Sequence, residues 1–466
     1  MSIVFAALQV LLAGLVTLHV LLRKRDVRAA LGWIGVAWLS PVLGALLYYL
    51  FGINRVTRRA VQLGKRERGR TDTAGVPATP ASAPHIQSLA RICARVSGSP
   101  LTAGNNVLVL HGGDEAYPAM LAAIRGARQS VALASYLFRN DQVGRSFVDA
   151  LVEARRRGVT VHVLLDGVGS GYILPAMLQR LQAGGVSAAR FLHTWVPWRM
   201  PFLNMRNHKK LLIVDGAVGF TGGLNIGAGN TASLASPQRI EDVHARVEGP
   251  VVRQLMQSFA GDWSFTTGEA LDDDIWWPEL SSKGAILARG VGSGPDADSG
   301  KLETILGAAL AQARTRVRIV TPYFLPDQRL QFAIAQASLR GVAVEILIPE
   351  SSDFSFMDWA VRAHLRFFPD LPFSIYLSPP PFDHSKLMTL DGEWCLIGSS
   401  NWDTRSLRLN FEFDLECYDA ALTAELDSLI DGKILRGRRL GRDQLMAAPQ
   451  WVQVRDAATR LMLPYL

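Results

Sequence analysis

One motif occurs twice in this chain, and that repeat constrains the fold more than any other feature. The first copy is His208-Lys209-Lys210-Leu211-Leu212-Ile213-Val214-Asp215 and the second His384-Ser385-Lys386-Leu387-Met388-Thr389-Leu390-Asp391, both H-x-K-x-x-x-x-D. Seventeen residues after each histidine stands an asparagine, Asn225 and Asn401, closing the small-residue runs Gly222-Gly223-Leu224 and Gly398-Ser399-Ser400. The repetition extends upstream. A helical stretch, Tyr117 to Arg128 or Leu302 to Arg314, precedes a strand-like run, Ser130 to Tyr136 or Val317 to Thr321. A further helix ends in Arg157-Gly158-Val159 or Arg340-Gly341-Val342, and the apolar runs 160–165 and 343–348 follow. The copies are offset by 183 residues at Arg-Gly-Val and by 176 at the motif histidine. Short apolar runs alternating with helical stretches are the pattern of α/β units. The chain therefore reads as two duplicated α/β domains facing each other, a first half over 86–280 and a second over 281–466.

A different kind of segment precedes them. Residues 2–22 and 29–51 carry no charge, and at 21 and 23 residues each meets the roughly 20 that a helix needs to cross a bilayer. No basic n-region and no A-x-A site mark a cleaved signal peptide. Residues 1–70 are thus expected to form an uncleaved two-helix transmembrane hairpin with a basic juxtamembrane segment, and the Pro/Ala/Thr-rich residues 71–85 a linker. Charge follows the same division. Residues 1–70 hold eleven Lys and Arg against two acids, a net +9, which leaves −1 for the other 396 residues of a +8 chain. Basic clusters beside a membrane attract anionic lipid headgroups, each residue contributing about 1 kcal/mol, whereas a duplex-binding domain is itself basic. The expected partners are therefore the bilayer and anionic phospholipids, with no nucleic acid. Seven basic residues after the second span against four in the short loop favour a cytoplasmic catalytic part. Cys93, Cys395 and Cys417 show no metal spacing and no disulfide framework.

The duplicated motif carries the chemistry. A histidine can attack phosphorus and form a covalent phospho-histidine. A second histidine must then protonate the departing oxygen and later deprotonate the acceptor. Two facing half-sites can place His208 and His384 on opposite sides of one phosphate. Lys210 and Lys386 lie two residues on, and on an extended strand i and i+2 share a face. Their ammonium groups would neutralise phosphate oxygens as charge builds. Asn225, Asn401 and Ser399 are placed with them as phosphate-binding residues. This supplies the charge stabilisation for which other phosphotransfer enzymes use Mg²⁺, so neither a metal nor another cofactor is expected. Asp215 and Asp391 complete the motif and are grouped with its catalytic residues, although each begins an Asp-Gly turn, where a structural role is expected.

The duplicated H-x-K-x-x-x-x-D with a following G-[GS]-x-N resembles the phospholipase D superfamily. The second copy matches that pattern through Gly398-Ser399-Ser400-Asn401-Trp402-Asp403-Thr404-Arg405-Ser406 and Asn410-Phe411-Glu412, while the first has Gly223 where Ser is common. Within the superfamily the chain looks like the bacterial cardiolipin synthases, with similar spans ending in Tyr48-Tyr49-Leu50-Phe51-Gly52-Ile53-Asn54-Arg55 and similar Arg206-Asn207-His208-Lys209-Lys210 and Thr321-Pro322-Tyr323-Phe324. The resemblance covers essentially the whole chain. It implies a multi-pass enzyme of the bacterial inner membrane that makes cardiolipin and glycerol from two phosphatidylglycerol molecules through a phosphatidyl-histidine. It implies His208 as nucleophile and His384 as acid and base, which internal symmetry alone leaves open. It also implies a carboxylate downstream of each motif that orients that motif's histidine, Asp242 for His208 and Glu412 for His384. A phospholipase D that hydrolyses lipids or transfers to another alcohol uses the same residues; a superfamily nuclease fits the −1 globular charge poorly. The aromatic and proline-rich stretches Trp195 to Phe202 and Pro379 to Asp383 read as loop packing or as a membrane-facing rim.

Overall fold

The computed structural model describes residues 2–24, 27–52, 78–171, 175–193, 205–232, 239–295, 298, 300–368 and 373–460. The basic residues Arg55 to Arg70, residues 71–77 of the linker, and Trp195 to Phe202 lie outside the described residues. The chain divides into two units, an N-terminal one and a larger one that holds both repeats.

In the N-terminal unit, one helix among the described residues is long and apolar enough to cross a membrane, the 20 residues Val4–Arg23 within Ser2–Arg23. The second expected span is a correction. It begins as a 13-residue helix, Val27–Leu39, breaks at Ser40 with φ −146°, and resumes as Pro41–Leu47 and a π-helical turn at Tyr48–Gly52. Pro41 has no N–H to donate back and its ring pushes the preceding residue out of helical conformation. An uncharged run of spanning length is therefore not one spanning helix.

In the larger unit, among the described residues, each half contributes seven main strands to one mixed sheet. From the seam outward, the first half runs Thr102–His111, Val243–Glu248, Val218–Gly222, Leu211–Val214, Ser130–Ser135, Thr160–Asp166 and Ser187–Phe191. The second half repeats that order with Ile286–Ser293, Asn410–Tyr418, Trp394–Gly398, Leu387–Leu390, Arg316–Val320, Ala343–Pro349 and Ser374–Ser378. The halves join antiparallel where Thr102 faces Ala288 and Asn105 faces Ile286. The outer strands of each half pair in parallel, as Val131↔Val161 and Ile319↔Ile346 do. Parallel strands covered on both faces read as continuous apolar runs, and Ser130–Ser135 is buried throughout.

Each half packs its own core, but the division between them is not where the sequence suggests. The helix Pro84–Ser97, expected in the first half, buries Ile86, Leu89 and Cys93 in the second half's core with Leu302, Ile305 and Val317. His85 Nε2 lies 2.9 Å from Asp391 Oδ2, which ties the same helix to the second motif's hairpin. A boundary at residue 86 assigns this amphipathic helix by chain order, whereas its apolar face decides its partner.

Candidate active site

Both motif histidines stand just before a central strand, and both are positioned by the opposite half. The short strand Arg206–Asn207 pairs in parallel with Asn410 and Phe411, and Phe382–Asp383 pairs in parallel with Ile240–Glu241. The ladders continue through His208 N–H donating to the Phe411 carbonyl at 2.9 Å and His384 N–H to the Glu241 carbonyl at 2.7 Å. The next residue on each partner strand is a carboxylate. His208 Nδ1–H donates to Glu412 Oε2 at 2.9 Å, and His384 Nδ1–H donates to Asp242 Oδ2 at 2.7 Å. The pairing expected from sequence is therefore crossed: Glu412 orients the first histidine and Asp242 the second.

The two imidazoles lie 6.5 Å apart between centroids and 80° between planes. With Nδ1–H committed to a carboxylate, Nε2 is the basic nitrogen of each ring. Rings at this separation can flank one phosphate, one Nε2 to attack phosphorus and the other to reach the leaving oxygen. Burial, reinforced by Lys210 and Lys386, holds His208 well below the usual histidine range; burial and Lys386 bring His384 to about 4. Both rings are thus neutral at neutral pH, the form a nucleophile or base requires.

Each lysine accompanies its histidine. Lys210 Nζ donates to the His208 carbonyl at 2.6 Å, and Lys386 Nζ donates to the His384 carbonyl and lies 4.0 Å from Asp242. Burial brings Lys210 down to about 7 and Lys386 to about 8, against the opposing pull of Glu412 and Asp242. Buried ammonium groups of this kind gain most from an incoming anion.

Other expected residues separate by role. Asn401 is buried, and its amide oxygen has no hydrogen-bond partner among the described residues. Asn225 accepts the Leu137 N–H at 3.2 Å. Ser399, placed with the phosphate ligands, instead donates its hydroxyl to Glu412 Oε2 at 2.6 Å. Ser406 Oγ at 2.5 Å and Asn410 Nδ2 at 3.1 Å donate to the other Glu412 oxygen, so this buried carboxylate is fully braced. Asp215 and Asp391 do not enter the site. They sit at the far ends of the motif strands, at φ 50° and 52°, followed by Gly216 at 59° and Gly392 at 72°. Asp215 accepts the N–H groups of Arg128, Gln129 and Ser130, and Asp391 those of Arg314, Thr315 and Arg316. They lock the hairpin against the neighbouring strand's entry, as an Asp in an Asp-Gly turn does.

The family description "Cardiolipin synthase, PLD-like domain" matches residues 120–263 and 306–433, and "Phospholipase D-nuclease N-terminal" matches 11–52. A curated cardiolipin synthase of Geobacillus kaustophilus is 30% identical over 97% of this chain and 91% of its own. The chain belongs to the cardiolipin synthase family of the phospholipase D superfamily. The major cardiolipin synthase ClsA of Bacillus subtilis is similar at 29% identity, covering 99% of this chain and 98% of its own. Among solved structures, the phosphatidylserine synthase of Haemophilus influenzae shares the fold, with a TM-score of 0.63 and 16% identity over 81% of this chain and all of its own. As a member of this family the chain is an enzyme, a phosphatidyltransferase of the superfamily, associated with membranes.

Sequence reasoning about this cardiolipin synthase family member missed several neighbours of the histidines. The Tyr136 ring stands edge-on to His208 at 4.8 Å, and Lys210 Nζ is 5.3 Å from its centroid. Burial raises the Tyr136 hydroxyl, which Arg206 and Arg405 oppose. Arg206 lies two residues before His208, the same alternation that selects Lys210, so the signal was present. The residue at the equivalent position of the second motif is Phe382, whose ring is 5.7 Å from His384. Also missed were two tethers with inverted charge. Lys209 Nζ lies 2.8 Å from Asp262, and Asp383 lies 2.6 Å from Lys433 Nζ.

The departure at Gly223 has a steric cause. A Cβ there would lie 2.1 Å from Asp242 Oδ1. Gly223→Ser, which makes the first motif look like the second, should therefore displace Asp242 from His384 and lower activity. A misplacement near 1 Å costs on the order of 10²-fold. Steady-state kinetics beside a thermal melt checks this, since the melting temperature should change little while kcat falls.

Proposed function

We propose that the chain is a membrane-bound phosphatidyltransferase that converts two phosphatidylglycerol molecules into cardiolipin and glycerol. The observation that carries this reading is the pair of neutral histidines 6.5 Å apart, each braced by a carboxylate of the other half. His208 Nε2 attacks the phosphorus of the first lipid. The P–O bond to glycerol breaks, and glycerol leaves with a proton from His384. The phosphate's negative charge beside His384 and Asp242 favours the imidazolium needed for that step. The terminal hydroxyl of a second phosphatidylglycerol then attacks the phosphatidyl-histidine while His384 takes its proton. One phosphodiester replaces another, so no nucleotide drives the reaction. Lys210, Lys386 and Asn401 supply the stabilisation of the equatorial oxygens. Transfer over hydrolysis requires water to be excluded while the intermediate lives. The catalytic unit is placed in the cytoplasm, and the second apolar segment beside Val4–Arg23 in the membrane.

Product analysis by mass spectrometry tests this reading. Purified protein with phosphatidylglycerol alone should yield cardiolipin and free glycerol, with neither from His208→Ala and no loss on adding EDTA. Phosphatidic acid as the sole product would make the protein a hydrolase.

The lysines set the pH dependence. Both are lowered from the ordinary 10.5, to about 7 and about 8, so their charge is present below these values and lost as pH rises through them. kcat/KM reports groups of the free enzyme and should fall as pH climbs from 7 to 9. A bound phosphate raises both lysines, so kcat should fall at higher pH than kcat/KM. A flat kcat/KM over that window would remove the lysines from phosphate recognition.

A further inference from the structure

We propose that the face formed by the helices Ser355–Arg366 and Gln450–Arg460 docks onto the anionic headgroup layer of a bilayer and presents the His384 side of the site to it. These helices pack along each other. Large apolar side chains stand exposed on them and at their ends: Trp451 at 68%, Phe367 and Val454 at 64%, and Phe354 at 51%. Arginines interleave with the rings. The Arg455 guanidinium lies 4.2 Å from the Trp359 centroid and 5.6 Å from that of Trp451, and the Arg460 guanidinium 4.0 Å from that of Phe367.

The local charge favours an anionic occupant. Arg362, Arg366 and Arg455 converge on a single buried carboxylate, Asp456, at 3.5, 2.9 and 2.7 Å. The two helices together carry four arginines against two aspartates, and the second of these, Asp358, accepts the Ser352 N–H. Exposed aromatics beside a cationic surplus match the boundary of a bilayer, where Trp sits at headgroup depth and guanidinium groups meet lipid phosphates. A soluble anion alone would not require the apolar rings.

The opposite side of the same helix reaches the catalytic centre. Met357 and Ala360 pack against Tyr323, Leu325 and Phe382, and Phe382 is the ring beside His384. One helix diameter, about 10 Å, separates the proposed docking face from the apolar wall of the site. A lipid drawn past Phe382 could keep its acyl chains near the bilayer while its phosphodiester lies between the histidines. This last link rests on the proposed lipid substrate; the docking face itself does not.

The test uses the full chain reconstituted in nanodiscs of phosphatidylglycerol and phosphatidylcholine. A Val454→Cys protein takes a thiol-reactive fluorophore there, since Cys93, Cys395 and Cys417 are buried. Brominated phospholipids should quench it several-fold more than the same label at Leu108→Cys, an exposed position in the first half. Equal quenching at the two positions would overturn the proposal. So would a Val454 label shielded from both brominated lipid and aqueous iodide, which would assign the face to residues 461–466 or to a second copy of the chain. Trp451→Ala with Phe367→Ala should raise KM on vesicles about tenfold, given the apolar area withdrawn from the interface. The same variant should leave turnover of a soluble short-chain phosphatidylglycerol unchanged. Quenching at Val454 without phosphatidyl transfer from any lipid would sustain the docking face and remove the substrate reading.

Discussion

With a phosphatidyl ester whose leaving group departs unaided, such as p-nitrophenol, His384→Ala and Asp242→Asn should still release it in a first turnover, while His208→Ala and Glu412→Gln should not. The expectation joins two assignments. Only the nucleophile is needed when the leaving group requires no proton, so loss of His384 is bypassed and loss of His208 is not. The crossed hydrogen bonds then group each carboxylate with the histidine of the other repeat: Glu412 with His208 at 2.9 Å and Asp242 with His384 at 2.7 Å. Alanine at His208 should cost at least about 10⁴-fold, as removal of a nucleophile does elsewhere. Loss of an orienting carboxylate by amide substitution costs up to about 10⁴-fold. With phosphatidylglycerol itself all four variants should be severely impaired. Rapid-quench measurement of released p-nitrophenol decides. If Glu412→Gln behaves like His384→Ala, the crossed pairing has no functional meaning. If the whole pattern is mirrored, the nucleophile is His384.

Asp262→Ala should destabilise the catalytic unit by about 3–5 kcal/mol, the cost of leaving a buried charge without its partner. Lys209 and Asp262 have side chains only 7% and 9% exposed, and Asp262 also accepts from Asn207 Nδ2 at 2.9 Å. Asn207 and Lys209 flank His208, so the tether fixes the segment that carries the histidine. The mirror-image pair has reversed polarity, with Asp383 on the motif segment and Lys433 on the helix Ala420–Arg436. Lys433→Ala should cost a similar amount. Replacing Lys209 by Met and Asp262 by Leu together should recover most of the stability, because two apolar groups leave no orphaned charge. Urea denaturation followed by the exposure of buried tryptophan tests the series. A Lys209→Met, Asp262→Leu protein no more stable than Asp262→Ala would show that packing, not charge burial, sets the cost.

Much of this protein was written locally. The duplicated motif, its asparagines, the helix and strand of each repeat and the Asp-Gly turns are short-range patterns, and the described elements fall within a few residues of where periodicity placed them. The long apolar run at Ser2–Arg23 is equally local. Where one residue overrode composition, at Pro41, a count of uncharged residues misjudged a helix that backbone chemistry breaks. The roles of Ser399 and of the carboxylates were not local. Register determines them: Phe411 pairs with Asn207, and Glu241 with Asp383, across an interface that no spacing along the chain encodes. The same holds for Pro84–Ser97, which follows its apolar face into the second half's core. Sequence by itself determined the chemistry available, two histidines, two lysines and their helpers in two equivalent units. Tertiary structure decided which carboxylate serves which histidine, because strand pairing between repeats, not order along the chain, sets the contacts a side chain can make.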